Sequence, residues 1–162
     1  MTTSKELRAV AATRQLCTFF IDGMLFGVDV MNVQEVIRYQ EMTIVPLASA
    51  NIRGLINLRG QIVTAIEIRA RLGLAPRSAD LLPMNVVTTT ASGVVSFLVD
   101  EIGDVLEVDE FTFESAPDTM NPAFRDLVPG VFKLDGRLVL LLDAERVANG
   151  GTASARLPPG AT

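Results

Sequence analysis

An all-β chain folded as two small barrels is what this 162-residue sequence predicts, and three observations carry that expectation. Short apolar runs rich in Val, Ile and Phe recur along most of the chain, the residue types that fit a pleated, half-buried surface. Asp22-Gly23 and Asp135-Gly136 each separate two such runs, the pattern of a two-residue hairpin turn. Helical patterns are few and short, and the strands fall into two sets, which suggests two barrels with a cleft between them.

Taken in order, residues 1–14 mix Lys, Glu and Arg with small residues and read as a flexible arm. The runs 16–21 and 24–28 form the first hairpin. Asp29 follows as an N-cap, with Val30, Val33, Val36 and Ile37 at helical spacing, so a short helix is expected that loosens into strand near 37–39. Val45-Pro46-Leu47 forces an extended connection. The block Ile52-Arg-Gly-Leu-Ile-Asn-Leu-Arg-Gly-Gln-Ile-Val63 then reads as a central strand, with Leu55, Ile56, Leu58, Ile62 and Val63 as its core. Within it Gly54 and Gly60 mark places where the backbone turns, bulges or admits a close neighbour. Arg59, displayed at that bend, is expected to act at the junction of the two halves with its fork of donors. A strand over 61–68 and a short helix over 67–72, closed by Gly73, complete a first half at 15–75.

The linker-like stretch 75–80 opens a second half, 76–149. Runs 84–89 and 94–99 form a hairpin over Ala91-Ser-Gly93, and 105–108 is a further strand continued irregularly through Phe111, Phe113 and Pro117. One helical turn is expected at 121–126, an Asp-Gly hairpin joins 128–134 to 137–142, and Asp143 caps a short helix over 144–148. Gly and Pro in 150–162 predict a disordered tail.

Composition narrows the function. The net charge is −5 with no Trp and one Tyr, so the basic groove and stacking aromatics of a nucleic-acid binder are missing. His is absent and Cys17 is the single cysteine, so neither a hydrolase triad nor an internal disulfide can form, and no metal or cofactor is expected. No Gly-rich phosphate loop is present. Asp100, Glu101 and Asp104 read as solvated turn residues rather than an acid/base pair. The longest aliphatic run, 138–142, is far shorter than the ~20 residues that cross a bilayer, so no membrane insertion is expected. A small ligand-binding or enzymatic β-barrel using the cleft between barrels is the rival functional class.

Several motifs then fall in a specific order: Val33-Gln-Glu-Val36, a spacer ending in Pro46, Gly54-Leu-Ile-Asn-Leu-Arg-Gly60, Glu67-Ile-Arg69, Phe97-Leu-Val-Asp100, Asp104-Val105, Gly130-Val-Phe-Lys-Leu-Asp-Gly136 and Leu140-Leu-Leu-Asp143. Over residues 16–148 that order resembles the CheW family of chemotaxis adaptor proteins. The resemblance implies one CheW-like domain over 15–149, built of two five-stranded SH3-like barrels, and an adaptor rather than an enzyme. It implies a cytoplasmic protein recruited to membrane chemoreceptor arrays. Its implied partners are the regulatory domain of the histidine kinase CheA and the cytoplasmic hairpin tip of a chemoreceptor, joined in a ternary assembly. Carried over by position, Val33, Glu35, Val36, Gly54, Asn57, Leu58, Arg59 and Gly60 fall on the family's interaction segment, and Val94, Val95 and Val105 are candidates for a receptor groove. The chain departs from the family where Pro and Asp commonly follow Leu-Arg-Gly, having Thr64 and Glu67 instead. Thr restores a backbone N–H and Glu keeps the charge with a longer reach.

Overall fold

The computed structural model describes residues 13–46 and 48–155; the arm expected over 1–12, Leu47 and the tail expected over 156–162 lie outside the described residues. The strands are β1 (Thr13–Ile21), β2 (Met24–Asp29), β3 (Val33–Ile37), β4 (Ile52–Leu58), β5 (Gln61–Glu67), β6 (Met84–Thr90), β7 (Gly93–Val99), β8 (Glu101–Asp109), β9 (Phe113–Ser115), β10 (Gly130–Leu134) and β11 (Arg137–Leu141). Among the described residues three helices accompany them: α1 (Ile68–Arg71), α2 (Pro122–Leu127) and α3 (Ala144–Ala155). The last continues beyond the short helix expected over 144–148 and into the stretch expected to be tail.

The strands form a six-stranded sheet in the order β8-β1-β2-β11-β10-β9 and a five-stranded sheet in the order β3-β6-β7-β5-β4. Neither ladder closes on itself. The sheets do not coincide with the halves 15–75 and 76–149, because four pairings carry strands across that division, β1 with β8, β2 with β11, β3 with β6 and β5 with β7. Phe26 of β2 lies beside Leu140 of β11, and Thr64 of β5 beside Val95 of β7.

Strand alternation sorts the apolar residues into three packed layers. Cys17, Phe19, Ile21, Phe26 and Val28 of the first sheet meet Ile66, Val86, Val95, Phe97 and Val99 of the second in one shared core, which α1 and α3 extend with Ile68 and Val147. Each fully buried Phe or Ile there is worth roughly 1.5–3 kcal/mol. Leu16, Leu25, Val108, Phe132, Val139 and Leu141 face the other way, into the six-stranded sheet's own interior. On the far side of the five-stranded sheet Ile56, Val63, Ala65, Val87 and Leu98 are buried, with Ser96 Oγ donating to Asn85 Oδ1 at 2.7 Å among them.

Two local expectations are corrected. Asp29 does cap, accepting from Met31 N at 2.9 Å, but the helix it starts is a single 3-10 turn over Val30–Asn32. From Val33 the β-branched residues pair antiparallel with β6, Val36 opposite Val86, which gives them a shared core that an isolated short helix would lack. The second correction concerns the Ile52 to Val63 block, which forms a hairpin whose β4 is the edge of its sheet rather than a central strand. Leu55 and Leu58 are accordingly half-buried and Ile62 is 61% exposed.

Gly54 sits beside the register shift in that hairpin. The segment before β4 folds back along it, with Thr43 N donating to Leu55 O and Leu55 N to Thr43 O, both at 2.8 Å. A Cβ on Gly54 would lie 2.6 Å from the Thr43 carbonyl oxygen, so the close neighbour that this glycine admits is the chain's own backbone. Gly54→Ala should therefore lower unfolding free energy by about 1–3 kcal/mol, the usual cost of overpacking. Urea denaturation measures it, and an unchanged midpoint would show that the backbone yields without cost.

Candidate interaction site

The β4–β5 turn is built by Arg59 and Gly60, both left-handed at φ 53° and 88°, as a two-residue hairpin of the primed type requires. Asn57 Oδ1 accepts from Gly60 N at 2.9 Å and fixes the turn. Arg59 Nη1 donates to Glu35 Oε2 at 2.7 Å, with the Arg59 side chain 78% exposed and that of Glu35 21%. Glu35 belongs to β3 and Arg59 to the tip beyond β4, the two opposite edges of the ladder. The five-stranded sheet must therefore curl until its edges come within one side-chain contact. The expectation that Arg59 acts at the junction of two halves is corrected accordingly: its partner lies within the same sheet, because the positive-φ turn aims it across the rim.

The remaining sequence candidates divide between two faces. Val33 and Val36 pack partly buried against the shared core, and Val95, 4% exposed, is inside it. Val105 stands opposite Cys17 on β8 and is 57% exposed at the margin of the same core. Glu35, Leu58 and Val94 alternate onto the other face, that of Val87, Val63 and Leu98. Val95 is thus a floor and not a contact surface.

A cluster that the sequence reading missed ties the sheets together. Asp100, read as a solvated turn residue, has a side chain only 12% exposed. Its carboxylate accepts from Arg69 Nε at 3.0 Å and Nη2 at 2.6 Å, from Arg77 Nε at 2.8 Å, and from the Asp22 backbone N–H at 2.7 Å. Asp22 is in the β1–β2 turn, so this one group joins the first sheet to the end of the second. Arg77 also forks onto Glu67, 2.7 and 3.1 Å from its two oxygens, while Glu67 caps α1 through Arg69 N. The departure from the family at position 67 thereby gains a function, since the longer side chain serves both contacts. Thr64, the other departure, lies in a strand paired on both sides. Burial raises the Asp100 pKa, but hydrogen bonds from Arg69, Asp22 N and Arg77 outweigh it and hold the group at about 2. The sequence signal for this cluster was the density of Arg at 69, 71 and 77 directly after a strand, more cations than the neighbouring Glu67 alone can pair.

A two-sheet β module whose sequence-marked residues gather at a rim and along one core margin belongs to the class of binding modules. Comparison with known proteins gives that module its family. The CheW-like domain model matches residues 15–151. The chemotaxis protein CheW of Rhizobium meliloti is 31% identical over 134 residues, 83% of this chain and 86% of the relative. That of Bacillus subtilis is 27% identical over 144 residues, 89% and 92% of the two chains. The crystal structure of the scaffolding protein TtCheW from Thermoanaerobacter tengcongensis superposes with a TM-score of 0.74 at 25% identity, over 83% of this chain and 91% of that one. The chain belongs to the CheW-like domain family and is a chemotaxis adaptor. The rival reading as a ligand-binding or enzymatic barrel is not favoured.

Two outcomes follow from this geometry. The Arg59–Glu35 pair is largely solvated, so Arg59→Ala should change unfolding free energy by less than about 1 kcal/mol; a larger loss would make the pair a structural element of the rim. Asp100 contributes stability fully above its unfolded pKa near 3.8 and loses it as pH falls through about 2. That contribution is roughly 2.5 kcal/mol. In Asp100→Asn, acid titration followed by circular dichroism should show a lower stability at neutral pH and a flatter decline between pH 4 and 2. An identical decline in parent and variant would remove Asp100 from the account.

Proposed function

We propose that this chain couples chemoreceptor hairpin tips to the histidine kinase CheA without turnover of its own, as a cytoplasmic protein recruited to receptor arrays. On this reading the two sheets, of six and five strands, correspond to the SH3-like barrels of the family. The observation that supports it most is the apolar margin of the shared core. β1 lies against β7, and the 3-10 turn after β2 lies against β6, which leaves β8 and β5 emerging on the same flank. Val105 and half-buried Ile102 line that flank from β8, Ile62 and Thr64 line it from β5, and buried Val95 underlies it. An apolar groove between two elements is the surface into which a helix lays its apolar face, as a receptor's helical hairpin does. Arg59 and Gly60 stand in the β4–β5 turn, three and two residues before Ile62. The kinase regulatory domain then takes a surface that remains free when the flank is filled.

Val105→Asp and Ile62→Asp should each weaken co-sedimentation with receptor-containing membranes by tenfold or more while calorimetric binding to the kinase regulatory domain stays within twofold. Parent protein that binds neither partner, or that hydrolyses ATP after repurification, overturns the adaptor assignment. Variants that keep full receptor binding overturn the placement of the groove alone.

A further inference from the structure

At the end of the five-stranded sheet away from the Arg59 turn lies a second concave site, of about 310 Å³, lined by the first residues of β4, by α1 and by the 74–83 segment. Its polar floor is built. Arg77 and Glu67 are there, 6% and 9% exposed along their side chains and bonded to each other, with Arg69 beside them at 10%. The bonds already described engage Nε and Nη2 of Arg69 and all three nitrogens of Arg77, and Arg69 Nη1 donates to Ala75 O at 2.9 Å, which holds the segment in place. Apolar walls come from Leu74, Pro76 and Pro83, while Leu81 and Leu82 stand exposed at the mouth. Arg53 completes the lining. It is exposed and makes no ion pair among the described residues.

The lining holds three guanidiniums against the single carboxylate of Glu67, on a chain whose net charge is −5. Asp100 behind the floor neutralises one more, which leaves the Arg53 charge without a counter-ion. Such a site favours a carboxylate that arrives on an apolar segment: the fork of Arg53 meets the charge, and Leu81 and Leu82 cover the flanking carbon. Arg53 and Arg59 are six residue steps apart along β4, about 20 Å at 3.3 Å per step, so an occupant here leaves the flank near Ile62 open.

We propose that this pocket anchors the kinase regulatory domain through an acidic side chain on an apolar segment of that domain, with Arg53 as the recognising charge and Leu81 and Leu82 as its apolar rim. The proposal rests on the adaptor reading and adds to it the second of the two docking surfaces. A rim charge acts mainly by electrostatic complementarity, so its contribution is screened by salt.

The test is titration calorimetry of full-length parent, Arg53→Glu and Arg53→Gln against the purified kinase regulatory domain at low and high sodium chloride, with co-sedimentation against receptor-containing membranes in parallel. Because Arg53 is exposed and unpaired among the described residues, both variants should keep the parent's melting temperature. Arg53→Glu should lose tenfold or more in affinity at low salt, Arg53→Gln an intermediate amount, and both should lose most of the salt dependence, while receptor binding stays within twofold. The proposal is overturned if Arg53→Glu binds the kinase domain within twofold of the parent at low salt, or if receptor binding falls by the same factor. A parent that binds neither partner defeats the adaptor reading itself, an outcome distinct from both.

Discussion

One carboxylate sets how the two sheets sit on each other. Asp100 leaves β7 at the end of the five-stranded sheet and receives the backbone N–H of Asp22 from the β1–β2 turn of the six-stranded one, while its own N–H donates to Phe20 O at 3.0 Å. Two guanidiniums satisfy its remaining lone pairs and pass the constraint to α1 and to the 74–83 segment. A buried charge held this way adds little net stability over a well-packed apolar substitute, but losing one partner strands the others, which makes the arrangement specific. The shared core supplies the adhesion between the sheets, and this cluster selects one orientation for it.

That orientation decides what the five-stranded sheet shows to the outside. Because both of its faces are buried over most of its length, only its ends and one margin remain available. Alternation then gives neighbouring residues opposite duties: Val95 seals the core while Val94 turns to the rim, and Val36 packs inward while Glu35 meets Arg59. Substitutions at adjacent positions in this sheet are therefore expected to act by different physical routes, one through packing and one through surface chemistry.

How much of this was legible in the sequence follows from how far apart the interacting residues lie. Both Asp-Gly hairpins, the capping roles of Asp29 and Asp143 and the 84–99 hairpin are encoded within a few residues and appear where the sequence places them. The assignment of strands to sheets is not so encoded, since β2 with β11 and β5 with β7 are parallel pairs between distant segments. The same holds for Asp100, whose partners lie 31, 23 and 78 positions away. Local reading saw an acidic residue at a strand exit, where solvation is the ordinary outcome. The family resemblance marked the segments carrying Glu35 and Arg59 but not that they bond to each other, because the bond exists only once the sheet has curled. The helix expected after Asp29 yielded to strand pairing for a similar reason, a partner strand about fifty residues away.

The way the chain covers its own β4 bears on self-association. An edge strand presents unpaired N–H and C=O groups to any strand that can align with it. Here the preceding segment lies over β4 yet joins it by a single bridge, Thr43 with Leu55, and goes no further as a strand. Pro46, which has no N–H to donate, follows three residues later. The cover blocks addition of a foreign strand at mid-edge without offering a new ladder of its own, so the edge is closed to open-ended stacking. Where many copies are gathered in one place, the middle of β4 therefore gives a neighbour's strand no starting point.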